Sequence, residues 1–233
     1  FESTPPQVSP DGLYAVYAQD ADTDDAFELW SVRLDDSTPS PQRLTTGSLT
    51  AGQSPSFEIS SGNPARVVYK IDEDIAGKVE LYSVPITGGL RKRLNPSTMA
   101  SNRDVYSFRL SPTGDRVFFT SDFEVYETGQ LYSVPIDGAT AAVRLNADLV
   151  FDFDIGNYQV SPDGETVVYT EYRRASGERE LWSVPADGPM DSAVKINRSL
   201  NGGAVGEYYQ ISADSETVVY SANATASQRF DLY

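Results

Sequence analysis

The run Asp20-Ala21-Asp22-Thr23-Asp24-Asp25 sets Asp20, Asp22 and Asp24 at the first, third and fifth places of a short loop. A calcium loop begins with that spacing, because alternate residues of a tight turn point oxygens to one centre. The Ala26 carbonyl and water could complete the shell of about six to eight oxygens that Ca²⁺ takes. The match then lapses. Asp25 stands where an EF-hand has glycine, Glu28 falls at the ninth place, and Ser31 stands where a bidentate glutamate is wanted. A solvated acidic hairpin accounts for the same residues. Calcium is therefore the one cofactor to test for, and no other is indicated.

Other chemistries are closed off by composition. The 233 residues include no cysteine and no histidine. That removes disulfides, thiolate nucleophiles, Cys- or His-based metal sites and the Ser-His-Asp triad. Asp and Glu number 34 against 18 Lys and Arg, a formal net charge of −16. Such a surface repels nucleic acid and anionic lipid, and suits a cation or a basic protein partner. No apolar run is long enough for membrane insertion.

The acidic stretches sit inside a repeat. The pairs Leu29-Trp30, Leu81-Tyr82, Leu131-Tyr132, Leu181-Trp182 and Leu232-Tyr233 are spaced by 52, 50, 50 and 51 residues. Arg43-Leu44, Arg93-Leu94, Arg144-Leu145 and Lys195-Ile196 keep the same period, as do Val67-Val68-Tyr69, Val117-Phe118-Phe119, Val167-Val168-Tyr169 and Val218-Val219-Tyr220. Each unit reads as four short strands. In the fourth unit, Ser161-Pro162-Asp163-Gly164 is a tight turn before a β-branched run at 166–172. Strands follow at 181–184 and 194–197, with the turn Pro185-Ala186-Asp187-Gly188 between them. No segment carries helical periodicity with caps.

A four-stranded unit of about 50 residues, repeated, predicts an all-β β-propeller, since neighbouring blades cover the apolar faces that one small sheet cannot. Repeats are expected at about 7–47, 54–97, 105–148, 157–200 and 208–233, in a single domain. The fifth has no Arg-Leu strand, so the expectation is four complete blades and a truncated fifth, incomplete at the C-terminus and part of a larger ring.

Ser-Pro-Asp-Gly before an apolar strand, then an acidic residue with Leu-Tyr or Leu-Trp, then Arg-Leu, resembles the TolB-like propeller repeat. The likeness runs over nearly the whole chain. It is strongest in units one and four and weakest at Ser60-Ser61-Gly62-Asn63 and Ser212-Ala213-Asp214-Ser215. The α/β domain that precedes the propeller in TolB has no counterpart here, so TolB's own partners do not carry over. The resemblance implies a non-catalytic interaction module in the periplasm or at the cell surface, with the cytoplasm as the alternative. It also resembles the propeller that gates prolyl oligopeptidase-type hydrolases, whose catalytic domain this chain does not contain. A carboxylate-pair glycosidase is a third reading, but no pair stands out.

Two sets of residues compete for a functional role. The turns between first and second strands, and between third and fourth, are nearly constant, which fits a geometric job. The loops between second and third strands vary and are acidic: Asp72, Glu73 and Asp74 in unit two, and Asp122, Glu124 and Glu127 in unit three. The link after unit three adds Asp148, Asp152 and Asp154, whereas unit four carries Arg173, Arg174 and Arg179. Asp72, Asp74, Asp122, Glu124, Asp152 and Asp154 are thus expected on a negative face that meets a protein partner. A polar residue also recurs in each first strand: Gln7, Glu58, Arg109, Gln159 and Gln210. These either line a central channel or hydrogen-bond one blade to the next; the second is the expectation.

Overall fold

The computed structural model describes residues 4–47, 49, 52–75, 77–97, 100, 102–149, 152–200, 203–223 and 230–233, without the side chains of 22 and 23. It is all-β: nineteen strands and one 3-10 turn, Met190–Ser192, among the described residues. Blade one contains β1 (Gln7–Val8), β2 (Tyr14–Thr23), β3 (Ala26–Arg33) and β4 (Gln42–Arg43). Blade two contains β5 (Ser56–Ile59), β6 (Arg66–Ile71), β7 (Glu80–Pro85) and β8 (Lys92–Arg93). Blade three contains β9 (Val105–Leu110), β10 (Arg116–Ser121), β11 (Gln130–Pro135) and β12 (Val143–Arg144). Blade four contains β13 (Phe153–Val160), β14 (Thr166–Arg173), β15 (Arg179–Pro185) and β16 (Val194–Lys195). Blade five has β17 (Val205–Ile211), β18 (Val218–Ala222) and β19 (Asp231–Leu232). Each sheet runs in chain order, four of them four-stranded and the last three-stranded. No helix among the described residues is long and apolar enough to cross a membrane.

The chain packs as two compact units: Phe1–Leu110 with Gly114–Val117 and Val134–Ala142, and Ser111–Thr113 with Phe118–Ser133 and Val143–Tyr233. The core of the first joins Val16, Leu29 and Leu44 of blade one to Phe57, Val67, Tyr69 and Val84 of blade two. In the second, Phe118, Leu131 and Leu145 meet Tyr158, Val167 and Tyr169, while Val168 and Leu181 meet Val205, Tyr209 and Tyr220. Successive side chains of a strand face opposite sides, so Val167 and Val168 serve two different cores.

The constant turns are built by their own side chains. Asp163 Oδ1 accepts from Ser161 Oγ at 2.5 Å and from Glu165 N at 3.0 Å, and Ser161 Oγ accepts from Thr166 N at 2.9 Å. Ser9 and Asp11 repeat this, as do Ser212 and Asp214. The serine hydroxyl first, then the backbone N–H, hold all three aspartates below the usual carboxylate range. Gly12 and Gly164 close the turn at φ +74° and +80°; in blade five Ser215 takes the same place at +65°. The network therefore survives where the motif has lost both proline and glycine.

Candidate functional site

The repeat supplies an internal control. A side chain that makes the same bond in several blades holds the fold; one that departs from its counterparts is a candidate for something else. Asp20 Oδ2 accepts from Asp25 N at 3.0 Å, Asp72 Oδ2 from Gly77 N, and Asp122 Oδ2 from Glu127 N at 3.2 Å. The donating residues all have positive φ: Asp25 +63°, Gly77 +79° and Glu127 +55°. A carboxylate thus caps a left-handed residue five places on, in three successive hairpins. Blade four has Tyr172 in place of the aspartate, and Gly177 N, at φ +71°, bonds the Arg173 carbonyl instead. The first residue of the calcium-like loop and two residues of the expected partner face are accordingly one turn residue, used three times.

Near that turn the exposed carboxylates of Asp20, Asp24 and Asp25 come within 4.8 Å of one another. The side chain of Asp22 lies outside the described residues. Asp25 occupies the glycine place of the EF-hand alignment and adopts the glycine-like φ. Glu28, at the ninth place, is buried and turned to the Ala21 N–H at 3.0 Å and Arg43 at 3.8 Å.

The rest of the expected face is also engaged. Arg91 takes Asp74 at 2.5 Å and Glu73 at 3.2 Å. Glu73 is no solvated loop residue: it is buried, and it accepts from Tyr69 Oη at 3.2 Å and from the Thr46 and Gly47 N–H groups. Asp122 is buried as well. Arg144 joins Glu124 at 2.5 Å and also binds Asp148. Arg173 meets Asp152 at 2.9 Å, and Arg174 meets Asp154 at 2.7 Å and donates to the Glu127 carbonyl. Within the second unit, then, the blade-three hairpin, the following link and the blade-four hairpin do converge, tied by Arg174. Asp154 has a counterpart too: it receives Gly129 N at 2.5 Å as Asp104 receives Val79 N at 2.7 Å, fifty residues earlier. The sequence reads these carboxylates as an acidic face for a partner; in the structure turns and arginines also engage them.

Three of the five first-strand polar residues, Gln7, Glu58 and Gln159, bridge blades as expected. Gln7 Nε2 donates to the Phe57 carbonyl at 3.1 Å, Gln159 Nε2 to the Tyr209 carbonyl at 2.8 Å, and Glu58 Oε2 accepts from Leu110 N at 3.1 Å. Burial pushes the Glu58 carboxyl up, and the Leu110 N–H pulls it back.

One repeated residue escaped the sequence reading. Asn95, Asn146 and Asn197 each follow the Arg-Leu or Lys-Ile pair, and each Oδ1 accepts from a third-strand leucine N–H: Leu81 at 2.8 Å, Leu131 at 2.7 Å and Leu181 at 2.8 Å. The fourth strands are only two residues long because this side chain continues the ladder. Thr45 does the same for Leu29, at 3.3 Å. The 51-residue spacing of the asparagines was the available signal.

The second unit also holds a groove of about 460 Å³, lined by Glu124, Val143, Arg144, Asp187, Pro189 and Met190. Val143 and Met190 are exposed at 39% and 38%, which is high for apolar side chains flanking a charged cluster.

No protein-family model matches the chain, and no curated protein sequence matches it. Solved structures do match in fold. A eukaryotic initiation factor aligns at 14% identity and a TM-score of 0.61, over 93% of this chain and 47% of that one. Prolyl oligopeptidase B from Galerina marginata, in its apo form, aligns at 13% identity and 0.53, over 93% of this chain and 30% of the enzyme. Oligogalacturonate lyase from Vibrio parahaemolyticus aligns at 11% identity and 0.53, over 97% and 64%. The chain spans less than two thirds of the length of each of these, and what it shares with them is the propeller fold.

Proposed function

We propose that the chain is a non-catalytic protein-binding propeller of the TolB-like type, acting in the periplasm or at the cell surface, whose partner presents a basic segment with an apolar anchor. The groove beside Arg144 carries the reading. Val143, Pro189 and Met190 offer an apolar floor. Arg144, the one cation lining it among the described residues, is already claimed by Glu124 and Asp148. Asp187 on the lining and Asp191 beside it leave the surroundings negative. An apolar side chain flanked by lysine or arginine complements that combination. The test is fluorescence anisotropy with a labelled peptide of alternating Lys and Leu, against a Glu-Leu control. The Lys-Leu peptide should bind and the control should not. Met190→Asp adds a charge that strengthens non-specific attraction, yet it should weaken groove binding about tenfold, or ~1.4 kcal/mol. Equal or tighter binding by Met190→Asp would show that only diffuse charge is at work.

The alternative is a propeller gating a separate hydrolase domain, for which the shared fold with prolyl oligopeptidase B is the support. In that case the peptide should bind elsewhere than the groove, and Met190→Asp should leave the dissociation constant within about twofold.

A further inference from the structure

Where the second and third strands of a blade enter their hairpin, one register pair recurs. It is Gln19 with Glu28 in blade one, Ile71 with Glu80 in blade two and Glu171 with Glu180 in blade four. The third-strand member is a carboxylate in all three, and a fourth-strand cation meets it: Arg43, Arg93 and Lys195. Of these blades only the fourth sets a second carboxyl opposite the first. That residue, Glu171, is 8% exposed. Like charges opposed across a ladder repel, and burial penalises the ionised form of Glu171.

The surroundings do not relieve the pair. On β13 the register partner of Glu171 is Ile155, and the adjacent Asp154 is held by Arg174 and Gly129 N. On β14 itself Tyr169 is fully buried, and Arg173 turns to Asp152 and Glu178. On β15 Arg179 lies over the Tyr172 ring, 5.9 Å from its centre. On β16 Lys195 is bound to Glu180. The blade-three side chains in this core, Phe118, Leu131 and Leu145, are apolar. Among the described residues, one ammonium therefore serves two carboxyl groups.

We propose that Glu171 keeps its proton opposite the Glu180 carboxylate, and that the two act as a pH-sensitive latch on the blade-four hairpin. With the proton in place the pair is singly charged and matched by Lys195. Without it two carboxylates face each other, and β14 and β15 part from the hairpin end. Arg174, in that hairpin, is the tie to Asp154 and the Glu127 carbonyl, so the latch governs how firmly the hairpin is held to its neighbours.

Burial, and then Glu180, push the Glu171 carboxyl up from its ordinary 4.5 to about 7, with Lys195 pulling back. The folded state thus binds more protons than the unfolded one between those values. The stabilisation is full below the lower value and is lost as pH rises through the upper one. Thermal melts of wild type and Glu171→Gln at pH 5 and pH 8 read this directly. The two should melt together at pH 5, and at pH 8 wild type should melt below the variant by at least roughly 3 °C. Carbon-13 carboxyl NMR on the wild type provides a second measurement that needs no folded variant for its midpoint: one glutamate should titrate near pH 7. A gap between the two proteins that is the same at both pH values, or glutamates that all titrate near 4.5, overturns the latch.

Discussion

Asn146 shows how much one side chain can carry when it replaces a strand. Its Oδ1 accepts from the buried Leu131 N–H, and its Nδ2 donates to Gln130 Oε1 at 2.6 Å and the Ala147 carbonyl at 2.8 Å. The residue is fully buried, so no solvent stands ready to substitute. Asn146→Ala should cost about 1–3 kcal/mol, the penalty of a buried donor left without an acceptor. Asn146→Asp keeps the acceptor but loses both donated bonds and buries a charge, so it should fare no better. Urea melts measure both, and an unchanged midpoint for Asn146→Ala would show that the Leu131 N–H finds another acceptor. The same logic gives Asp20, from the calcium-like loop, and Asp72 and Asp122, from the expected partner face, a shared structural role as turn residues. Each makes the same bond at the same place in its hairpin, which accounts for an aspartate at that position.

The four-strand unit was readable because turn chemistry and β-branched runs mark it locally, whereas strand lengths were not. The run expected at 166–172 extends to Thr166–Arg173, and 194–197 shrinks to Val194–Lys195 because Asn197 finishes the pairing. Contacts that cross from one loop or strand to another leave no local mark, so the burial of Glu73 against Thr46, Gly47 and Arg91 and the pairing of Glu124 with Arg144 were hidden. The third-strand aromatics were expected to be equivalent, and they divide. Tyr82 and Tyr132 are 1% exposed, and they stack on Tyr69 and Phe119 with ring centres 5.3 and 5.2 Å apart. Trp30 and Trp182 are half-buried, and their indole N–H groups meet no acceptor among the described residues. A larger ring fills the place less completely. Tyr82→Ala should therefore cost about 3–5 kcal/mol, near the range for deleting a buried aromatic, and Trp182→Ala clearly less. Equal losses in denaturant melts would mean that the tryptophan packs as tightly as the tyrosine.

At the scale of the molecule, many arginines and lysines are held in local pairs, and the excess of carboxylates is left over. With 34 acidic and 18 basic side chains, pairing every base would still leave sixteen negative charges. Two electrostatic effects then oppose each other as salt is added. Exposed pairs such as Arg33 with Asp35 and Arg173 with Asp152 weaken, but each is worth only ~0–1 kcal/mol. Repulsion among the surplus carboxylates acts over longer range, and it is the part most reduced as the screening length falls from about 30 Å at 0.01 M to about 8 Å at 0.15 M. Stability should therefore rise over that interval, because a compact state far from neutrality repels itself. Binding of the Lys-Leu peptide should move the other way, since the charges that attract it are the ones being screened. One salt series, read by thermal melts and by anisotropy, should thus give a rising melting temperature and a weakening affinity. A melting temperature that falls with salt would place the balance with the ion pairs instead, and the arginine-held hairpins of blades three and four would then be the first parts to loosen.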